Sequence, residues 1–297
     1  DAVIVSDPLV ISLIKEYVPN LEIHISTQQN TLNYEVCNYF KEEGAKRVVL
    51  GRETSKEDML SILKNSDVDI EIFVQGAMCV SYSGRCVLSN YFTNRDSNRG
   101  GCSQICRWNF DLYDEYKNKI SNDNDFAITV KDLSLINHIP ELIEMGITSL
   151  KIEGRMRSIY YISTVLHVYR KVIDEYYKTG KISNIDRLSY ELLRCANRDS
   201  VEQFFTKKPG VEEQYYSGRE EVSNKDFLGV VIDYNEDKKE ITLEQRNYFK
   251  VGDEITIFGP NIEDFNLKIE YIKDEKDNLI EVANHPQEIV KIKCDKK

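Results

Sequence analysis

The chain has 297 residues, of which 41% are hydrophobic and 30% charged, a composition suited to one large globular domain with or without a small companion. Its net charge of −11 argues against a general nucleic-acid binder. It has neither an apolar run long enough for a membrane helix nor the basic start of a secretory signal, so a cytoplasmic protein that meets no membrane is expected.

The charge is unevenly spread. From residue 211 onward 21 acids face 13 bases, whereas within 79–108 four arginines (Arg85, Arg95, Arg99 and Arg107) meet Asp96 alone. Such an island in an acidic chain suggests a local anionic ligand, with a solvated basic face as the plainer alternative.

The chain opens on Asp1 within a strand-like run, so a fragment lacking its natural start is expected. Strand-like Ala2–Ser6 precedes helix-like Leu9–Tyr17, and Leu21–Ser26 precedes Leu32–Glu43. Arg47–Leu50 leads to Lys56–Leu63, and Ile70–Val74 leads to a cysteine-rich segment. Leu133–Glu144 reads as a helix ended by Gly146 and followed by a strand over Ile147–Ile152. From Ile159 to about Tyr177, apolar residues such as Ile162, Val165, Tyr169, Val172 and Tyr176 recur at the helical period. Repeated strand–helix units imply a parallel sheet, either doubly wound or part of a closed barrel. Beyond about residue 222 the pattern becomes short strands: Leu228–Tyr234, Glu240–Glu244, Glu254–Phe258, Leu267–Lys273, Leu279–Val282 and Ile289–Lys293. Turn residues separate them, which predicts a small antiparallel barrel or sandwich.

Four of the seven cysteines, Cys79, Cys86, Cys102 and Cys106, fall at spacings of 6, 15 and 3 intervening residues. In a cytosolic chain such a group favours a metal site over disulfides. Structural zinc prefers two short Cys knuckles, and only the last pair qualifies; the irregular gaps fit an iron–sulfur cluster at least as well. Nearby Gly76, Gly84, Gly100 and Gly101 would let backbone amides approach sulfur, while Arg85 and Arg107 could offset thiolate charge. Buried free thiols are the remaining reading, and the preferred one for Cys37, Cys195 and Cys294.

The run EIFVQGAMC over 71–79, its continuation VSYSGRC to Cys86, NRGGCSQICRW over 98–108, KDL over 131–133 and KIEGRMRSIYY over 151–161 resemble the ordered motifs of the collagenase-like peptidase family U32. The likeness covers roughly residues 1–205, and the C-terminal part is similar to the family's accessory domain. It implies a TIM-type (β/α) barrel, truncated at the N-terminus, over 1–210, with an iron–sulfur segment at 76–110 and a C-terminal β-barrel over 220–297. It implies a 4Fe–4S cluster on the four cysteines. Through the family's RNA-hydroxylating branch, it also implies prephenate-dependent conversion of the tRNA wobble uridine to 5-hydroxyuridine, with an unidentified electron donor. Where the family usually carries histidine, this chain has Gln75, an amide that cannot titrate.

In a barrel of this type, active sites form at the strand C-termini. There stand His24, Gln28, Arg52, Glu53 and Glu153 as candidate catalytic groups, with Arg85, Arg107, Lys151 and Arg155 as candidate substrate-binding ones. Guanidinium groups would hold the carboxylates of prephenate or the phosphates of RNA. Tyr82, Tyr91 and Trp108 interleave with the arginines and suit stacking of unpaired bases, as in a tRNA anticodon loop, or packing about a cofactor. A collagenase-like peptidase and a zinc-stapled RNA-binding module are the alternatives. The peptidase has little support, because no Gly-x-Ser-x-Gly or His-Glu-x-x-His motif occurs.

Overall fold

The computed structural model describes residues 2–121, 126–196, 198–215, 226–260 and 262–296. Asp1 and part of the expected boundary between the two domains lie outside them. The chain divides into two compact units, Asp1–Arg157 with Tyr169–Glu221, and Ser158–Val168 with Val222–Lys297.

The first unit is mixed α/β. Strands Ala2–Val5, Glu22–Ile25, Ala45–Val49 and Asp69–Gly76 lie side by side and parallel. The long strand Asp69–Gly76 also pairs in parallel with Ser149–Ile152, and antiparallel with Asp132–Ser134 through Gln75 and Gly76. Ser200–Val201 closes the order beside Asp132–Ser134. The seven strands form one sheet, and among the described residues no pairing joins Ser200–Val201 to Ala2–Val5.

Local sequence explains the crossovers. Asp7 caps the helix Pro8–Tyr17 by accepting from the Leu9 amide, and Pro8 supplies a φ already suited to the first turn. Asn33 caps Tyr34–Glu42, and Ser55 with Asp58 forms a capping box on Lys56–Asn65. Strand alternation sends Ile23, Ile25, Val48, Ile70, Ile72 and Val74 into the buried core together with Cys37, Phe40, Met59 and Ile62. Each such side chain contributes about 1.5–3 kcal/mol when fully buried.

Two expectations are corrected. Leu133–Glu144 is not one helix: Asp132–Ser134 is a strand, a short turn follows, and the helix begins at Ile139 with Pro140 in its first turn. Leu133 and Leu135 are apolar because they belong to a buried strand and its exit, which a short apolar run cannot distinguish from a buried helix. Leu267–Lys273 likewise breaks into Phe265–Lys268 and Ile272–Lys273, which join different sheets. The helix Ile185–Cys195 went unread in the sequence, although it buries Leu188, Leu192 and Cys195.

In the second unit, Gly229–Asn235, Glu240–Gln245, Ile289–Lys293, Ile272–Lys273 and Leu279–Ile280 form an antiparallel sheet in that order. Its core gathers Phe249, Ile269, Ile272, Val290 and Ile292. Among the described residues no helix is long and apolar enough to cross a membrane.

The other face of the first unit's sheet is charged. Glu71, 7% exposed, receives Lys151 at 2.6 Å, Ser149 at 2.9 Å and Arg47 at 3.5 Å. Burial pushes the Glu71 carboxyl up, but these partners outweigh it and hold its pKa below the ordinary glutamate range. Its contribution to stability is therefore complete above the unfolded value of about 4.3 and is lost as pH falls through the lower folded value. Glu71→Gln is expected to cost, near neutrality, the low end of about 3–5 kcal/mol, because Lys151 and Arg47 keep some access to water. Chemical denaturation across the acid range should show the variant and wild type converging; a deficit that persists unchanged at the acid end would rule out this role.

Candidate functional site: a thiol pocket at the end of the central strand

The central strand ends at Gly76, and the chain then folds into the segment that carries the four cysteines. All four are free and partly buried. Cys79 lies within electrostatic reach of Cys86 and Cys106, and Cys106 within reach of Cys86 and Cys102, so the quartet occupies one neighbourhood. Burial pushes the Cys79 thiol up to about 11 and raises Cys106 too. Backbone hydrogen bonding from Ser81 and Val80 favours the two thiolates in turn, and the Gln104 amide donates to Cys102 Sγ at 3.4 Å. Among the described residues no three Cys, His, Asp or Glu side chains converge closely enough to hold a single metal ion.

A buried charged hub lies beside this segment. Asp132 is 2% exposed and meets Arg198 at 3.3 Å and Arg107 at 3.7 Å, and Arg157 pairs with it as well. Burial and neighbouring Arg198 hold Arg107 below its usual range. Arg107 also donates to the carbonyls of Met78, at 2.7 Å, and Val130, which ties the residue before Cys79 to the residue after Cys106. Thr129 Oγ1 donates to the Cys106 carbonyl at 3.0 Å, and Arg198 reaches Gln104 Oε1 at 3.5 Å.

The loop after Glu22–Ile25 and the loop after Ala45–Val49 secure the other side of the cysteine segment. Gln28 Nε2 donates to the Asn98 carbonyl at 2.7 Å, and Asn98 Nδ2 donates to the Gly84 carbonyl at 3.1 Å. Gly84, at φ +73°, runs so close to Gln28 that a Cβ there would sit 2.0 Å from the Gln28 carbonyl oxygen. Glu53 accepts from the Ser83 amide at 2.9 Å and the Ser83 hydroxyl at 2.8 Å. The Arg52 guanidinium lies 3.6 Å from the centre of the Phe73 ring and 3.9 Å from Glu153, within electrostatic reach of Cys79. Burial lowers the Arg52 pKa, and Glu153, Cys79 and Glu53 oppose that fall.

Gln28, Arg52, Glu53, Glu153 and Arg155 therefore gather around the cysteine segment, with the Arg155 amide donating to Glu153 at 3.1 Å. Arg85 lies exposed on it. Arg107 is committed to the hub. Lys151 is held by Glu71 within the sheet, and the ring of His24 meets Glu22 at 3.4 Å on its own strand. Gln75 is 2% exposed and accepts from the Tyr169 hydroxyl at 3.1 Å, so the amide in the histidine's place is part of a buried hydrogen-bonded contact. Sequence reasoning missed Asp132, Arg157, Arg198 and Ser83 as builders of the site. Asp132 and Arg157 lay within the quoted motifs, but nothing in their spacing announced that they meet.

Two consequences can be measured. In reduced, metal-free protein, alkylation should label the partly exposed Cys86 and Cys102 well before Cys37 and Cys195. Those two are buried and their thiols are pushed up to about 12. Equal labelling of all four would refute the burial assignment. Asp132→Asn strips the hub of its carboxylate and is expected to cost about 3–5 kcal/mol. It should also speed labelling of Cys79 and Cys106, read by mass spectrometry; an unchanged labelling rate would show that the hub does not hold the segment.

Residues 1–215 match the model of peptidase family U32, and residues 223–297 match that of the peptidase family U32 C-terminal domain. The chain is 50% identical over 301 residues to tRNA hydroxylation protein P1 of Bacillus subtilis, covering 99% of this chain and 71% of that protein. It is 34% identical over 174 residues to the 23S rRNA 5-hydroxycytidine C2501 synthase of Escherichia coli, covering 59% of this chain and 26% of that one. It is also 30% identical over 302 residues to a collagenase of Porphyromonas gingivalis, covering 97% of this chain and 72% of that protein. With both halves matched in order, the chain belongs to peptidase family U32.

Proposed function

We propose that this chain is an RNA-hydroxylating redox protein in which Cys79, Cys86, Cys102 and Cys106 hold a 4Fe–4S cluster. The observation that carries the reading is the gathered thiol quartet beside the Asp132–arginine hub, in a chain half identical to a named tRNA hydroxylation protein. Four clustered thiols would suit a polynuclear group such as a 4Fe–4S centre, whereas structural zinc prefers two short Cys knuckles and only the Cys102–Cys106 pair qualifies. A thiolate-ligated cluster would be anionic, and Arg107 beside Cys106 and Arg52 within electrostatic reach of Cys79 would offset that charge.

A bound cluster would supply one-electron transfer to a reaction, ring C–H to C–OH, that removes two electrons from the ring and takes its oxygen from a hydroxyl donor. The protein's own groups bind and orient. Arg52 is fixed between Phe73 and Glu153 beside Cys79, and Glu53 fixes the turn at Ser83. The finer reading is prephenate-dependent formation of 5-hydroxyuridine at the tRNA wobble position, with prephenate as co-substrate, an electron donor yet to be identified, and a cytoplasmic location. The four parallel strands up to Gly76, with helices between them, support reading 1–210 as part of a TIM-type barrel truncated at the N-terminus, and the antiparallel sheet supports a small barrel over 220–297.

Similarity to a collagenase favours a peptidase as the second reading. A cysteine peptidase would use one of the four clustered cysteines for attack and leave the other three without a role. That weighs against it.

Nucleoside mass spectrometry of tRNA from a deletion strain lacking any oxygen-dependent route tests the proposal. Wobble 5-hydroxyuridine and its derivatives should disappear, return with the wild-type gene, and stay absent with Cys79→Ser. Hydroxyuridine persisting in the deletion strain, or restored fully by the variant, would refute it.

A further inference from the structure

Tyr82, Tyr91 and Trp108 are 66%, 82% and 46% exposed, although aromatic rings ordinarily go inside. Their backbone is well tied. The Tyr82 turn closes with Arg85 N donating to the Tyr82 carbonyl at 3.0 Å, and Gly84 within it is pinned by Asn98. The helix Leu88–Thr93, which carries Tyr91, is tied through Ser89 to the Ser103 amide at 2.8 Å, and the Trp108 amide closes on Ile105 at 3.0 Å. The rings are thus displayed by a cross-linked segment.

Arg85, Arg95 and Arg155 are exposed on the same segment or against it: a Cβ on Gly100 would sit 3.2 Å from Arg155 Nη1, and one on Gly101 would sit 3.4 Å from Arg95 Cβ. Among the described residues none of the three guanidinium groups makes an ion pair with an acid, whereas Arg47, Arg52, Arg107, Arg157 and Arg198 all do. In a chain of net charge −11, three unspent cations among displayed aromatic rings form a local complement to a polyanion that also offers flat faces.

Unpaired nucleotides have that chemistry: phosphates for guanidinium groups and free base faces for rings. A duplex offers only the phosphates, because its bases are already stacked. Resting on the RNA reading above, we infer that the outer face of the cysteine segment binds the unpaired loop of an RNA. Tyr82, Tyr91 and Trp108 stack its bases, and Arg85, Arg95 and Arg155 hold its phosphates.

Trp108 is the sole tryptophan, so its fluorescence reports from this face. The intact protein is titrated with a stem-loop RNA, with a fully paired duplex of the same length, and with poly-glutamate as a stand-in for an acidic protein partner. The stem-loop should quench Trp108 and bind more tightly than either competitor. Tyr82→Ala and Tyr91→Ala should each weaken stem-loop binding about five- to 150-fold, the range of base–aromatic stacking. Each arginine-to-alanine change that removes a phosphate contact should flatten the slope of log affinity against log salt by about 0.7. Circular dichroism controls for folding, and all of these residues are exposed. Duplex or poly-glutamate binding as tightly as the stem-loop, or unaltered stem-loop affinity in the variants, would overturn the surface. Stem-loop binding as expected without hydroxylated nucleoside leaves the surface standing and removes the redox reading. Hydroxylation with variants that bind like wild type does the reverse.

Discussion

A single buried carboxylate, Asp132, faces the guanidinium groups of Arg107, Arg157 and Arg198, and the cysteine pocket is organised from that point. A buried ion pair contributes little net stability by itself, because desolvation cancels most of the attraction; removing one partner is what costs. The consequence here is geometric. Arg107 cannot leave Asp132 without also releasing the Met78 and Val130 carbonyls, so the chain just before Cys79 and the chain beyond Cys106 are held to the same side chain.

The sheet sets where this happens. Asp69–Gly76 pairs with Ala45–Val49 through its first three residues and with Ser149–Ile152 from Glu71 to Gln75, and its last residues contact both Asp132–Ser134 and Ser149–Ile152. That arrangement delivers Asp132, Glu153 and the first cysteine to one end of one strand. Gly76, at φ +119°, leaves no room for a side chain: a Cβ would sit 2.3 Å from the Glu153 carbonyl oxygen. The loops that carry Gln28 and Glu53 then clasp the opposite side of the cysteine segment. The cysteine segment is therefore fixed by hydrogen bonds to Gln28 and Glu53 as well as by the Asp132 hub.

Much of this was legible in the sequence. The strand–helix alternation through Gly76 was readable because each helix is capped by a residue whose short side chain has a local partner, Asp7, Asn33 or Ser55. The quartet was visible from spacing, and the strand-end residues Gln28, Arg52, Glu53 and Glu153 from their place after apolar runs. The hub was not. Arg198 stands 66 residues from Asp132, and a contact set by tertiary folding leaves no periodic trace. Leu133 was misread as helical because a two-sided buried strand is as uniformly apolar as a buried helix turn. His24 looked like a site residue from its neighbours Ser26, Thr27 and Gln28, but side-chain alternation turns it toward Glu22 within the strand.

Iron and acid-labile sulfide, measured together with zinc on anaerobically isolated protein, address the thiol pocket most directly. About four irons and four sulfides per chain, with no zinc, are expected if each cysteine of the quartet takes one corner of a cubane. One zinc per chain without sulfide would contradict it.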